Sequence, residues 1–263
     1  MNWLLLRGLG REQRHWYDFP ERLRILVAPA PVFLLDLAGT GTERGRLPLP
    51  SVSWLARDVA RRAQQLPGVR REPRDGRACE APWSLVGLSL GGMVALELCW
   101  LWAQRVKRAI VINSSASITS PTVRLQPRAL QGLAQALWAR DATEREGRLL
   151  AVTSQLPVAE QRHYAELAAA FAADGTPTRM ALASQLCAAA RFSPPTPGSV
   201  SAHLCFLGSS GDRLVSPICS RDLARRYAAP YWEHPWAGHD LPLDDPAWIC
   251  ERVARVHSPS PVT

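Results

Sequence analysis

The stretch Trp83-Ser84-Leu85-Val86-Gly87-Leu88-Ser89-Leu90-Gly91-Gly92 decides how the rest of the chain is read. An apolar run of strand length passes, at Ser89, into the strongly apolar helical pattern Leu90 to Trp102. Gly-x-Ser-x-Gly at such a junction fits a sharp strand-to-helix turn. Gly87 and Gly91 leave room where side chains would collide, and the Ser89 hydroxyl is pushed out above the sheet. The helix start brings backbone N–H groups and a positive dipole end to any oxyanion formed there. Ser89 is therefore the candidate nucleophile, and a hydroxyl at neutral pH needs a base.

On either side of this turn, short apolar runs alternate with helical patterns. Asn2–Arg7 reads as a strand running into the turn Gly8-Leu9-Gly10, and Val32–Leu37 as a strand buried on both faces. Helical spacing recurs at Trp16, Phe19 and Leu23, with Pro20 as an interruption, and over Val52–Leu66. Arg70–Glu80 reads as a polar loop, and Val106–Ile112 as a buried strand. The rhythm stops from Ser114 to about Val200, where helical patterns surround Leu130–Trp138, Tyr164–Phe171 and Met180–Ala190 and end in a Pro-rich joint. It returns with strands at His203–Leu207 and Tyr231–His234 and helices at Pro217–Tyr227 and Ala247–Val256. This is the pattern of an α/β fold, a mostly parallel sheet with helices on both faces. The implied division is a core over 1–113 and 201–257, a helical lid inserted at 114–200, and a frayed tail at 258–263.

Six histidines compete for the role of base. His15, His163 and His203 fall before or inside elements, and His257 at the terminus. His239, in Trp236-Ala237-Gly238-His239-Asp240, lies in the loop after the last strand, on the rim where open α/β sheets place their sites. His234, at the end of that strand, is its rival. Asp212 follows the preceding strand in Ser209-Ser210-Gly211-Asp212-Arg213 and is the candidate orienting acid. Asp240, Asp244 and Asp245 are too near His239 in the chain to reach its Nδ1 well.

These residues, in the order Ser…Asp…His, resemble the α/β-hydrolase superfamily along nearly the whole chain. The first loop of that family commonly begins His-Gly, and the residue after the glycine lends its N–H to the oxyanion hole. Here Arg7 replaces the histidine, so the resemblance assigns Leu9 and Leu90 as the two backbone donors. Asp36-Leu37-Ala38-Gly39-Thr40-Gly41 is similar to the family's Asp-x-Pro-Gly-x-Gly turn. The chain starts at what resembles the family's third strand, so about six strands are expected. A short, lidded member of this kind resembles carboxylesterases that act on methyl esters of acyl carrier protein conjugates in biotin synthesis. It also resembles a lyase of menaquinone synthesis that uses the same triad.

The expected activity is hydrolysis of a carboxylic ester or thioester through an acyl-enzyme on Ser89. The alternatives are a lyase using the triad for proton abstraction and a non-catalytic, ligand-binding member of the fold. Trp16, Trp138, Phe171, Trp236 and Leu241 are candidates to line a pocket for a small acyl substrate. Arg124, Arg128, Arg140, Arg145, Arg148, Arg162, Arg179 and Arg191 stud the insertion, where an acidic acyl carrier protein could dock; a solvated basic face is the plainer alternative.

Composition narrows the rest. The net charge is +8, but Lys107 is the only lysine and the arginines are scattered without interleaved aromatics, which argues against nucleic acid. Cys79, Cys99, Cys187, Cys205, Cys219 and Cys250 have no metal-binding spacing, so neither metal nor cofactor is expected; Cys79, in a polar stretch, reads as an exposed thiol. No apolar run reaches the roughly 18 residues of a membrane span, and the first residues lack a basic leader, which makes a cytoplasmic protein the expectation.

Overall fold

The computed structural model describes residues 1–69, 71–74 and 77–257, with backbone alone at 71–74, 77–80 and 257. The expected thiol of Cys79, the side chain of His257 and the tail 258–263 lie outside the described residues.

Six strands, β1 (Asn2–Leu6), β2 (Val32–Leu35), β5 (Trp83–Leu88), β6 (Val106–Ile112), β7 (His203–Ser209) and β8 (Tyr231–His234), form one sheet in the order β2-β1-β5-β6-β7-β8. Every pairing in it is parallel. The segment expected to be a polar loop instead holds a separate antiparallel hairpin, β3 (Arg71–Arg74) with β4 (Arg77–Glu80). Its charged sequence lacks the apolar alternation by which strands are recognised.

Period-two alternation divides the core between the faces of the sheet. Leu4, Leu6, Trp83, Leu85, Ala109, Val111, Leu204 and Phe206 turn to one side, against α2 (Val52–Ala63), α3 (Leu90–Leu101) and α9 (Pro217–Arg226). Trp3, Leu5, Val86, Leu88, Ile110, Ile112, Cys205 and Leu207 turn to the other, against α1 (Phe19–Val27) and α11 (Pro246–His257). Pro20 does not break α1, because it lies in the first turn, where its missing N–H costs nothing. The short α10 (Leu241–Asp244) precedes α11.

Between β6 and β7 the chain forms α4 (Pro121–Arg124), α5 (Pro127–Leu137), α6 (Ala142–Thr153), α7 (Val158–Ala172) and α8 (Arg179–Arg191). Asp141 caps α6 by accepting the Glu144 N–H at 2.8 Å, and Thr178 caps α8 through Ala181 at 3.1 Å. No helix among the described residues is long and apolar enough to cross a membrane.

Leu85 lies in a central strand with no exposed surface. Leu85→Ala is expected to destabilise the protein by about 2–5 kcal/mol through lost transfer energy and the cavity left behind. Urea unfolding with an unchanged m-value would measure it, and a loss below about 1 kcal/mol would count against this packing.

Candidate active site

Ser89 sits between β5 and α3 with φ 57° and ψ −119°, a conformation that costs a non-glycine residue. Its surroundings hold it there. The Ser89 N–H donates to the Ile112 carbonyl at 2.9 Å, and the Ser114 hydroxyl donates to the Ser89 carbonyl at 2.8 Å. A Cβ on Gly87 would run into the Gly91 backbone, and one on Gly91 into the Leu6 carbonyl. Each glycine therefore lets two backbones approach more closely than any side chain allows.

The first loop passes directly over Ser89. A Cβ on Gly8 would lie 3.1 Å from the Ser89 Cβ and 3.7 Å from its Oγ. Arg11 N–H donates to the Gly8 carbonyl at 3.2 Å, and Gly10 has φ +68°, so Gly8 to Arg11 forms a tight turn with glycine at its third position. Among the described residues no protein acceptor takes the N–H of Leu9 or of Leu90.

At the ends of β7 and β8 the other two candidates meet. His239 Nδ1 lies 2.7 Å from Asp212 Oδ2, with both residues buried. The second Asp212 oxygen accepts the N–H groups of Leu214 and Val215 at 2.8 and 2.9 Å, which fixes the carboxylate plane. Among the hydrogen bonds of the described residues, the one made by the His239 ring runs from Nδ1 to Asp212, and none joins that ring to Ser89 Oγ. His234 is otherwise engaged. Its Nδ1 accepts the Ala237 N–H at 2.9 Å and its Nε2 lies 3.2 Å from Asp245 Oδ2, between the rings of Trp236 and Trp248.

The pocket candidates fall in different parts of the structure. Trp16 and Leu241 belong to the core beneath the sheet. Trp138 caps the end of α5 with 84 % of its surface exposed, and Trp236 is 46 % exposed. Phe171 is half-buried on α7, edge-on to His15 at 5.4 Å and beneath Arg14. Their residue type marks them as apolar, but the face that each presents depends on helix rotation and loop path. Of the insertion's arginines, Arg124 donates to the carbonyls of Ala189 and Ala190, and Arg148 to Gln135 and Glu144.

The model of the alpha/beta hydrolase family matches residues 3–252. This chain belongs to the alpha/beta hydrolase family. Solved structures that share its fold include an enol-lactonase from Burkholderia xenovorans LB400, 20 % identical, with a TM-score of 0.70 over 97 % of this chain and 90 % of that one. A thermophilic esterase from Thermogutta terrifontis is also 20 % identical, with a TM-score of 0.70 over 98 % and 89 % of the two chains. A meta-cleavage product hydrolase from Pseudomonas fluorescens IP01 is 14 % identical, with a TM-score of 0.73 over 98 % and 90 %. No curated protein sequence matches the chain significantly.

Several residues that shape this family member's site carry no local motif. Asn113, at φ 44° after β6, donates through Nδ2 to the carbonyls of His239 and Gly238 at 2.9 and 3.2 Å. Asp244 accepts the Gly238 N–H at 2.6 Å, the Gln155 N–H at 2.9 Å and the Ser154 hydroxyl at 2.5 Å; burial pushes its carboxyl up against these bonds. Arg7, replacing the family's histidine, forks onto Asp240 at 2.9 and 2.7 Å and stacks over Trp16. One buried ion pair thereby ties the first loop to the residue after His239. The second ion pair, Arg11 with Glu146, joins that loop to α6. A lone Asn, Asp or Arg signals such a role only once the loops are known to meet.

Arg7→Met would strand the Asp240 carboxylate in a buried place and is expected to cost about 3–5 kcal/mol. Adding Asp240→Leu should restore a large part of that loss. Chemical denaturation of both variants checks this, and a double variant as unstable as the single one would contradict it.

Burial, and then the nearby Arg11 and Arg7, hold the His15 pKa well below its ordinary 6.5. The folded state therefore keeps His15 neutral, while the unfolded chain takes up a proton as pH falls through 6.5. The stability this provides is complete above pH 6.5 and is lost on acidification, at up to about 1.4 kcal/mol per pH unit. His15→Gln should flatten the stability–pH slope below that point relative to the unaltered chain, as measured by denaturation across the pH range. Identical slopes would refute this.

Proposed function

We propose that the protein is a serine hydrolase that cleaves a carboxylic ester or thioester through an acyl-enzyme on Ser89. Family membership supports hydrolysis in general. The narrower assignment rests chiefly on one observation, the 2.7 Å contact between His239 Nδ1 and an Asp212 carboxylate held by two backbone amides. A carboxylate so placed fixes the imidazole tautomer with its Nε2 free to act as base, and it stabilises the imidazolium once formed.

In this scheme His239 takes the Ser89 proton as Oγ attacks the acyl carbon. The oxyanion is stabilised by the N–H groups of Leu9 and Leu90, which are free of protein acceptors among the described residues. His239 then returns the proton to the departing alcohol or thiol. Water activated by the same imidazole releases the acid and restores Ser89. Helices α5 to α8 fall on the side of the chain where this family carries a lid, and an acyl group would enter beneath them.

Ser89→Ala and His239→Ala should each lower kcat on nitrophenyl esters by about 10³-fold or more, and a fluorophosphonate probe should label Ser89. Full activity in Ser89→Ala, or turnover without probe labelling, would overturn the acyl-enzyme and leave hydrolysis to a water attacking the ester directly.

A further inference from the structure

We infer that Gln185, in α8 of the insertion, is a positioning residue for the oxyanion-stabilising amide of the first loop. The inference rests on the assignment of Leu9 as a donor above. Ala181, Gln185 and Ala188 form the buried face of α8, and Gln185 has no exposed surface. A glutamine in the middle of such a face must satisfy both ends of its amide. Its Oε1 accepts the Gly10 N–H at 2.9 Å, and its Nε2 donates to the Ala38 carbonyl at 2.9 Å. One side chain therefore clamps the loop after β1 to the loop after β2, reaching both from a helix far along the chain.

The choice of amide matters. Within the turn Gly8 to Arg11, the Gly10 N–H belongs to the central peptide, whose orientation distinguishes one turn type from another. Gly10 at φ +68° needs that peptide held in one sense, and Gln185 supplies the acceptor that holds it. Losing that acceptor frees ψ at Leu9 and φ at Gly10, and with them the turn that holds the adjoining Gly8–Leu9 peptide, which carries the Leu9 N–H, beside Ser89. Packing strengthens the restraint, because a Cβ on Gly10 would meet Leu182 at 2.8 Å and one on Gly39 would meet Ala181 at 2.8 Å. Helix α8 thus lies directly against both loops.

The test compares Gln185→Leu, Gln185→Glu and Ser89→Ala in the full chain. Gln185→Leu keeps the shape and loses both bonds; Gln185→Glu keeps an acceptor for Gly10. Steady-state kinetics on nitrophenyl esters would be paired with the affinity of a trifluoromethyl ketone, whose oxyanion mimics the transition state. Gln185→Leu is expected to lower kcat about 10- to 100-fold with little change in KM, and to weaken the ketone by a similar factor. Gln185→Glu should recover a measurable part of both. An unchanged kcat and ketone affinity in Gln185→Leu would overturn the inference. So would losses in both variants that merely follow the folded fraction, with activity per folded molecule preserved. Retained activity in Ser89→Ala would instead overturn the acyl-enzyme reading, and the role of Gln185 with it.

Discussion

Ser89 holds its backbone at φ 57°, and that single strained residue sets the terms for everything packed around it. A conformation of this kind costs about 1–3 kcal/mol and persists only where neighbouring structure over-determines it. Here β6 accepts the Ser89 N–H through Ile112, and the loop after β6 supplies Ser114 to the Ser89 carbonyl. The turn also requires α3 to begin hard against the end of β1, where the Leu6 and Arg7 carbonyls nearly touch Gly91. Three parallel strands and one helix start therefore converge on one residue. Their apolar faces, not the turn itself, provide the free energy that keeps it strained.

That convergence leaves the loops at the strand ends to be held by other means. They lie beyond the apolar layers, and the bonds that fix them are polar, buried and long-range. Arg7 reaches Asp240 across 233 positions, Asn113 reaches the His239 carbonyl across 126, and Gln185 reaches Gly10 across 175. Such pairs add little net stability, since desolvation offsets most of their attraction, but a missing partner is costly. They act against alternative loop arrangements more than against unfolding. Under the function proposed above, holding Ser89, His239, Asp212 and the two loop amides in register is where that discrimination would count.

This division also explains what could be read from the sequence. Alternating apolar residues and the glycines around Ser89 are local, so the six strands, their order of appearance and the strand-to-helix turn are visible within short windows. Asp212 and His239 were approachable because each follows a strand, and strand ends fall on one rim. Asn113, Asp244 and Gln185 carry no such mark, as their meaning lies in distant contacts. For Gln185 a weak signal exists, a polar residue where the periodicity of α8 calls for an apolar one. The aromatic pocket candidates show the opposite limit, residue type without position. Trp138 has the composition of a pocket wall, yet it follows the last turn of α5, where the chain leaves the apolar face.

The contacts of the helices between β6 and β7 make them part of the frame around Ser89, Asp212 and His239. At the end of α6, Thr153 accepts the Asp240 N–H at 2.7 Å, and Gln155 donates to the Gly211 carbonyl beside Asp212 at 2.7 Å. Helix α8, through Gln185, holds the opposite rim. The insertion thus grips the Asp212 and His239 loops through α6 and its end, and the first loop through both α6, by Arg11 with Glu146, and α8. A segment anchored on both sides cannot shift as one rigid body without breaking hydrogen bonds to the loops of Asp212, His239 and Gly10. Even α5 and α7 carry such ties, since Gln126 at the start of α5 donates to the Asp212 carbonyl at 2.8 Å and Arg14 donates to the Phe171 carbonyl of α7 at 3.0 Å.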